Sequence, residues 1–207
     1  MEKQFKAGFM VGRFQHIHKG HQEIIERGIN SCEKFVVFVG SSQESETRQN
    51  PYSAAERIKL IKKIYGDLVE VIPLPDITTP DDISEAWGKY VMEQATMALG
   101  EHPDYMVTGS GDSQSLWFTE DQLTFQKGRD MARMYFDIVP RSNTPISATE
   151  MRHYLLTDNF QSWKQFADIR IHCKFEWLRL LLLIVEYHNL RRKLIVKDES
   201  ELDDANF

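Results

Sequence analysis

Short apolar runs alternate with longer amphipathic stretches through the first half of the chain. The runs "AGFMV" (Ala7–Val11), "FVVFV" (Phe35–Val39) and "YMVT" (Tyr105–Thr108) are almost unbroken, and "VEVIP" (Val69–Pro73) is shorter on charge than its surroundings. Continuous apolar runs of this length fit strands buried on both faces. Between them the spacing predicts helices over His18–Ser31, Ser53–Tyr65 and Ser84–Leu99, the last two ended by Gly66 and Gly100. Strand–helix alternation predicts an α/β fold, a parallel sheet with helices on both sides. Ligands of such sheets bind outside the carboxyl ends of the strands. Three glycine-led polar segments fall there, "GRFQHIHKGH", "GSSQES" and "GSGDS", and are expected to form one site.

The second half reads differently. A helical part is expected from about Ser147 to Leu194, followed by an acidic tail, "KDESELDDANF", expected to be disordered. Within it, "WLRLLLLIVEYHNL" has its longest uncharged apolar run at Leu180–Val185, far short of the ~20 residues that span a bilayer. The expectation is therefore a helix that turns Phe175, Leu178, Leu182, Val185 and Leu190 toward its own core or toward a second copy. Residues 1–167 are assigned to the α/β domain and 168–207 to a helix and tail within the same unit.

Composition narrows the picture. A chain of 207 residues suits one well-buried domain. The net charge of -6 argues against a broad nucleic-acid surface, though not against a local cationic pocket. Cys32 and Cys173 form no CxxC pattern, so both are expected to be reduced, buried thiols. No secretory leader pattern is visible, and a cytoplasmic location with no membrane partner is expected.

The chemistry concentrates in Gly12–His21. Gly12 ends a strand and Gly20 sits in the first turn of a helix, where unpaired amides and the helix dipole favour an anion. His18 and His21 are three apart and share one face there. Arg13 and Lys19 add positive charge, which suits phosphate. A metal set of His16, His18 and His21 is the competing reading, opposed by those same cations; ordinary loop histidines are another. Far downstream, Ser147 or Thr149 can cap a helix, Glu150 completes a capping box, and Arg152 offers a fork to an anion.

"GRFQHIHKGH" resembles the GRFxPxHxGH signature of the HIGH-type nucleotidyltransferases, a Rossmann-like superfamily that transfers AMP from ATP. "ISATEMR" (Ile146–Arg152) is similar to its second signature, ISxTxxR. "GSSQESETRQNPYSAAERIKLI" resembles GSAQES…NPFTAGERI of archaeal-type nicotinamide-mononucleotide (NMN) adenylyltransferases, and "VIPLPDI", Trp87, "DYMVTGSGD" and Trp163 follow in the same order. The resemblance covers roughly Lys6–Ala167 and implies a Rossmann-like doubly wound sheet with a helical C-terminal extension.

It also implies an activity: AMP transfer from ATP to NMN, giving NAD and pyrophosphate. Mg²⁺ would arrive on the ATP phosphates, with no protein metal ligands expected. By the resemblance, His18, His21 and Arg152 act in catalysis. Gly12, Arg13, Phe14, Lys19, Gly20, Gly109, Asp112, Ile146, Ser147 and Thr149 hold ATP, and Ser41, Gln43, Asp76 and Trp87 hold NMN. Asp81 and Asp82 compete with Asp76 for the acceptor. Three departures stand out. His16 replaces the signature's proline, extra residues separate Asp76 from Trp87, and "GSGDSQSLWF" replaces a GNPLV-like stretch. Other phosphorylated acceptors (nicotinate mononucleotide, phosphopantetheine), a non-catalytic nucleotide sensor and a fragment related to class I aminoacyl-tRNA synthetases are the alternatives.

Overall fold

The structure, a computed structural model, describes residues 3–77, 85–110, 114–140 and 144–203, with side chains to Arg192 apart from Ser115. Strand β1 (Phe5–Gly12) is followed by α1 (Lys19–Ser31), β2 (Cys32–Val39), α2 (Ala54–Tyr65), β3 (Glu70–Pro73), α3 (Glu85–Leu99) and β4 (Tyr105–Gly109). These are the elements that the apolar runs and helical stretches predict. Their ends follow local chemistry: Ser53 caps α2 in a capping box with Glu56, and Gly66 closes it at φ 58°.

Beyond β4 the chain builds structure that the apolar pattern does not announce. A short helix α4 (Glu120–Leu123) leads into a hairpin, β5 (Thr124–Lys127) and β6 (Asp130–Arg133), and then into β7 (Tyr135–Val139). The large sheet has the order β3-β2-β1-β4-β7, and all its pairs are parallel. Connections through α1 and α2 carry the chain outward from β1 to β3. The connection through α3 returns it across the sheet to β4. Strand order therefore reverses between β1 and β4, where a ligand crevice is expected in a doubly wound sheet.

Alternate residues of the central strands feed two cores. Met10, Phe35, Val37 and Val39 join Ile25 of α1 and Leu60, Ile61 and Ile64 of α2. Ala7, Phe9, Val11, Val36 and Phe38 join Trp87, Val91 and Ala95 of α3. The first core is closed by three further helices, α5 (Ala148–Leu156), α6 (Phe160–Phe166) and α7 (Phe175–Asp203).

Three expectations about this region are corrected. Helix α7 runs to Asp203, into the tail expected to be disordered. Phe175, Leu178, Leu182 and Val185 are buried, but Leu190 is 59% exposed and leaves the inward face. Of the two thiols, Cys32 is buried, with its pKa pushed up to about 12 by that burial, whereas Cys173 is exposed.

Candidate active site

A cleft of about 810 Å³ opens at the carboxyl ends of β1, β2 and β4. It is lined by Gly12, Arg13, Phe14, His18, Gly20 and His21 from the β1–α1 loop and Ser41 from the loop after β2. Asp76, Trp87 and Gly109 line it from farther along the chain, and Ile146, Ser147, Thr149 and Arg152 from the start of α5. The first two glycine-led segments, Gly109 of the third and the distant second motif thus face one space. Two expected contributors do not line it. Lys19 is exposed away from the cleft, and Gln43 reaches it only through Asp76. Asp112 lies outside the described residues, as do Asp81 and Asp82.

Helix α1 begins at the cleft wall. His18 is its N-cap, and its Nδ1 accepts the backbone N–H of His21 at 3.4 Å. That places the proton of a neutral His18 ring on Nε2, as a donor. The rings of His18 and His21 stack at 3.8 Å. A Cβ on Gly20 would come within 3.1 Å of the His18 ring, so glycine here makes room for that pair. Phe14 is buried beneath, 5.0 Å from the His21 ring, with its backbone at φ 50°.

Helix α5 approaches from the opposite side. Ser147 caps it in a capping box with Glu150, which leaves the next amides turned to the cleft through Ala148 and Thr149. Arg152 is half-buried. It donates to the carbonyl of Gln15 at 2.9 Å and to Thr149 Oγ1 at 3.2 Å. Burial lowers its pKa first, and the Arg13 charge lowers it further. Two helix N-termini and two guanidinium groups therefore meet at one place, an arrangement that favours a polyanion.

At the far end of the cleft Asp76 accepts the backbone N–H of Ser41 at 3.3 Å and the side-chain amide of Gln43 at 3.1 Å. Trp87 and Trp117 meet edge to face at 5.8 Å, and both line the cleft. Trp117 belongs to the stretch that departs from the resembled family. Gly88 lets it approach, since a Cβ there would overlap the Trp117 carbonyl at 1.7 Å.

Several groups position these loops in ways the sequence does not announce. Gln15 pairs with the backbone of Tyr52 in both directions, at 3.1 and 3.0 Å. His16 is fully buried. Its Nδ1–H donates to the Ile17 carbonyl, and its Nε2 accepts the Trp163 indole N–H at 3.0 Å. With both ring nitrogens so engaged it takes no part in a metal set, and burial lowers its pKa to about 4. Arg57, also buried, is held to about 10 mainly by desolvation and stays charged at neutral pH. It falls on the same stripe as Leu60, Ile61 and Ile64, and a charge on an otherwise apolar stripe was the available signal.

The fold and cleft define a doubly wound α/β protein with an anion-favouring crevice. The chain belongs to the cytidylyltransferase-like family, whose sequence profile matches residues 9–154. Among curated relatives, the nicotinamide-nucleotide adenylyltransferase of Saccharolobus solfataricus is 36% identical over 41% of this chain. That match spans about half, 50%, of the relative's length. The protein of the same name from Methanococcus vannielii is 38% identical over 77% of this chain and 81% of its own. Among solved structures, a bifunctional NMN adenylyltransferase/ADP ribose pyrophosphatase from Francisella tularensis, complexed with AMP and a manganese ion, superposes with a TM-score of 0.63. It shares 18% identity over 93% of this chain and 56% of that one, a likeness of fold.

Proposed function

We propose that the chain transfers the adenylyl group of ATP to the 5′-phosphate of NMN. The observation that carries this reading is the convergence of the α1 and α5 N-termini, with Arg13 and Arg152, on one cleft. A phosphate oxygen of NMN attacks the α-phosphorus of ATP in line. The bond from that phosphorus to the bridging oxygen breaks, and pyrophosphate leaves. The attacking oxygen is already anionic at neutral pH, so no side chain has to remove a proton. Catalysis rests on alignment and on donors aimed at charge that grows on the leaving group. His18 through Nε2–H, His21, Arg13 and Arg152 supply those donors, and Ser147 sets the amides of α5.

The acceptor lies toward Asp76 and the tryptophans. A carboxylate there accepts from a carboxamide –NH₂ and repels a nicotinate carboxylate, which favours NMN over its acid. Mg²⁺ brought with ATP would supply shielding of the phosphate charge. Substrate oxygens and water would carry the ion. No helix among the described residues is long and apolar enough to cross a membrane. A cytoplasmic setting, where ATP is supplied, accords with the reading.

The test is incubation with ATP, Mg²⁺ and each of NMN, nicotinate mononucleotide and phosphopantetheine, followed by pyrophosphate release. NMN is expected to give the highest kcat/KM, and nucleotide binding without release from any acceptor would favour a sensor. Self-association through α7 belongs to the same proposal. Its outer face carries Trp177, Leu180, Ile184 and Tyr187, the last 63% exposed. A monomeric light-scattering mass would remove this interface.

A further inference from the structure

Arg57 stands apart from the site and yet controls the shape of both loops that border it. Its side chain is 1% exposed. Nη1 donates to the carbonyls of Arg13 and Gly40, each at 2.7 Å, and Nη2 donates to that of Ser41 at 3.0 Å. Nε donates to the Ser53 carbonyl within its own helix at 3.3 Å. One guanidinium fork thus joins the loop after β1 to the loop after β2.

The carbonyls it holds flank two strained residues. Phe14 has φ 50° and Ser41 has φ 47°, in the left-handed region that glycine tolerates and other residues resist. Arg13 O belongs to the peptide that enters Phe14. Gly40 O and Ser41 O belong to the peptides on either side of Ser41. Such backbone persists only where its surroundings over-determine it. The fork restrains the peptide entering Phe14 and both peptides around Ser41.

We propose that Arg57 is a positioning residue that locks Phe14 and Ser41 in their left-handed conformations and so aims both loops at the ligand. The connection to catalysis rests on the adenylyl-transfer reading; the conformational lock does not. Phe14 lies under His21, and Ser41 offers its backbone N–H to Asp76, so the lock reaches each end of the cleft. Lysine keeps the charge but presents a flexible ammonium instead of a planar fork, and it cannot hold three carbonyls in that geometry.

Strain supplies the test. Glycine at position 41 adopts the left-handed conformation without the penalty, so it removes the need for part of the restraint. Urea denaturation is measured for the wild-type chain, Ser41→Gly, Arg57→Lys and the double variant, together with pyrophosphate release from ATP and NMN. Ser41→Gly is expected to raise the midpoint more in the Arg57→Lys background than in the wild-type one. The double variant is expected to regain roughly tenfold of the kcat that Arg57→Lys loses. Equal midpoint shifts in both backgrounds overturn the proposal, because a merely structural arginine gives additive effects. If Arg57→Lys alone does not fold, recovery of folded protein on adding Ser41→Gly supports the lock, and no recovery overturns it. Coupling in urea without activity in any variant refutes adenylyl transfer and leaves the lock standing.

Discussion

At the end of the cleft proposed to hold phosphate Arg57, Gln15, Arg152 and the capping Ser147 bond largely to main-chain groups. At the end proposed for the acceptor Trp87 and Trp117 meet through their rings, and Asp76 holds Gln43 through its side chain. The difference has a chemical sense. Phosphate is bound by amides, caps and fixed guanidinium groups, which need a backbone set in one shape. A flat aromatic ring is bound by surfaces that side-chain substitution can reshape without moving the chain. Changes at the first end should therefore lower kcat, and changes at the second should move KM and acceptor choice.

The largest expected effect tests the phosphate end directly. His21→Ala should lower kcat by about 100-fold or more, the ~2.7–4 kcal/mol that one lost transition-state donor costs. Wild-type turnover in steady-state assays would remove His21 from the chemistry.

Next is the anchor beneath that loop. His16 titrates near 4 when folded and near 6.5 when unfolded. Its neutral form is favoured by folding, so its contribution is complete above pH 6.5. The contribution is lost as pH falls toward 4, because the unfolded chain takes up a proton that the folded one refuses. The loss amounts to about 3 kcal/mol. Urea melts between pH 7 and 4 should show that slope in the wild-type chain and a shallower one in His16→Gln.

At the acceptor end, Trp87→Phe should raise the KM for NMN roughly fivefold while kcat stays within about threefold, since one aromatic contact contributes ~0.5–1.5 kcal/mol. A fall in kcat with constant KM would erase the contrast between the ends. Smallest of all, Lys19→Ala should change kcat/KM by less than about threefold, because an exposed charge outside the cleft is screened. A larger loss in the same assay would bring Lys19 back to the phosphates.

The same contrast explains what the sequence disclosed. Gly12, His18, Gly20, His21 and Ser147 are legible because caps and close approaches demand particular residue types at fixed spacings. The strands β1, β2 and β4 are legible because burial on both faces leaves an unbroken apolar run. Strand β7, "YFDIV", was not. Tyr135 and Ile138 are exposed at the sheet edge, and the buried Asp137 receives the Tyr105 hydroxyl at 2.7 Å, so no period stands out. The hairpin before it turns at Gly128 with mostly exposed strands, and its pattern is equally faint. His16 was legible as a departure from a signature but not as a partner of Trp163, because nothing local connects positions 147 apart.

That last bond orders events in time. The loop carrying His18 and His21 leaves the ribosome well before α6 does, yet His16 acquires its indole donor only when α6 has emerged. Tyr52 likewise waits for the Leu178 carbonyl of α7, which accepts its hydroxyl at 3.3 Å. Domains that rely on such distant contacts fold late in synthesis. The nascent chain is therefore kept from a finished cleft until α6 and α7 have been made.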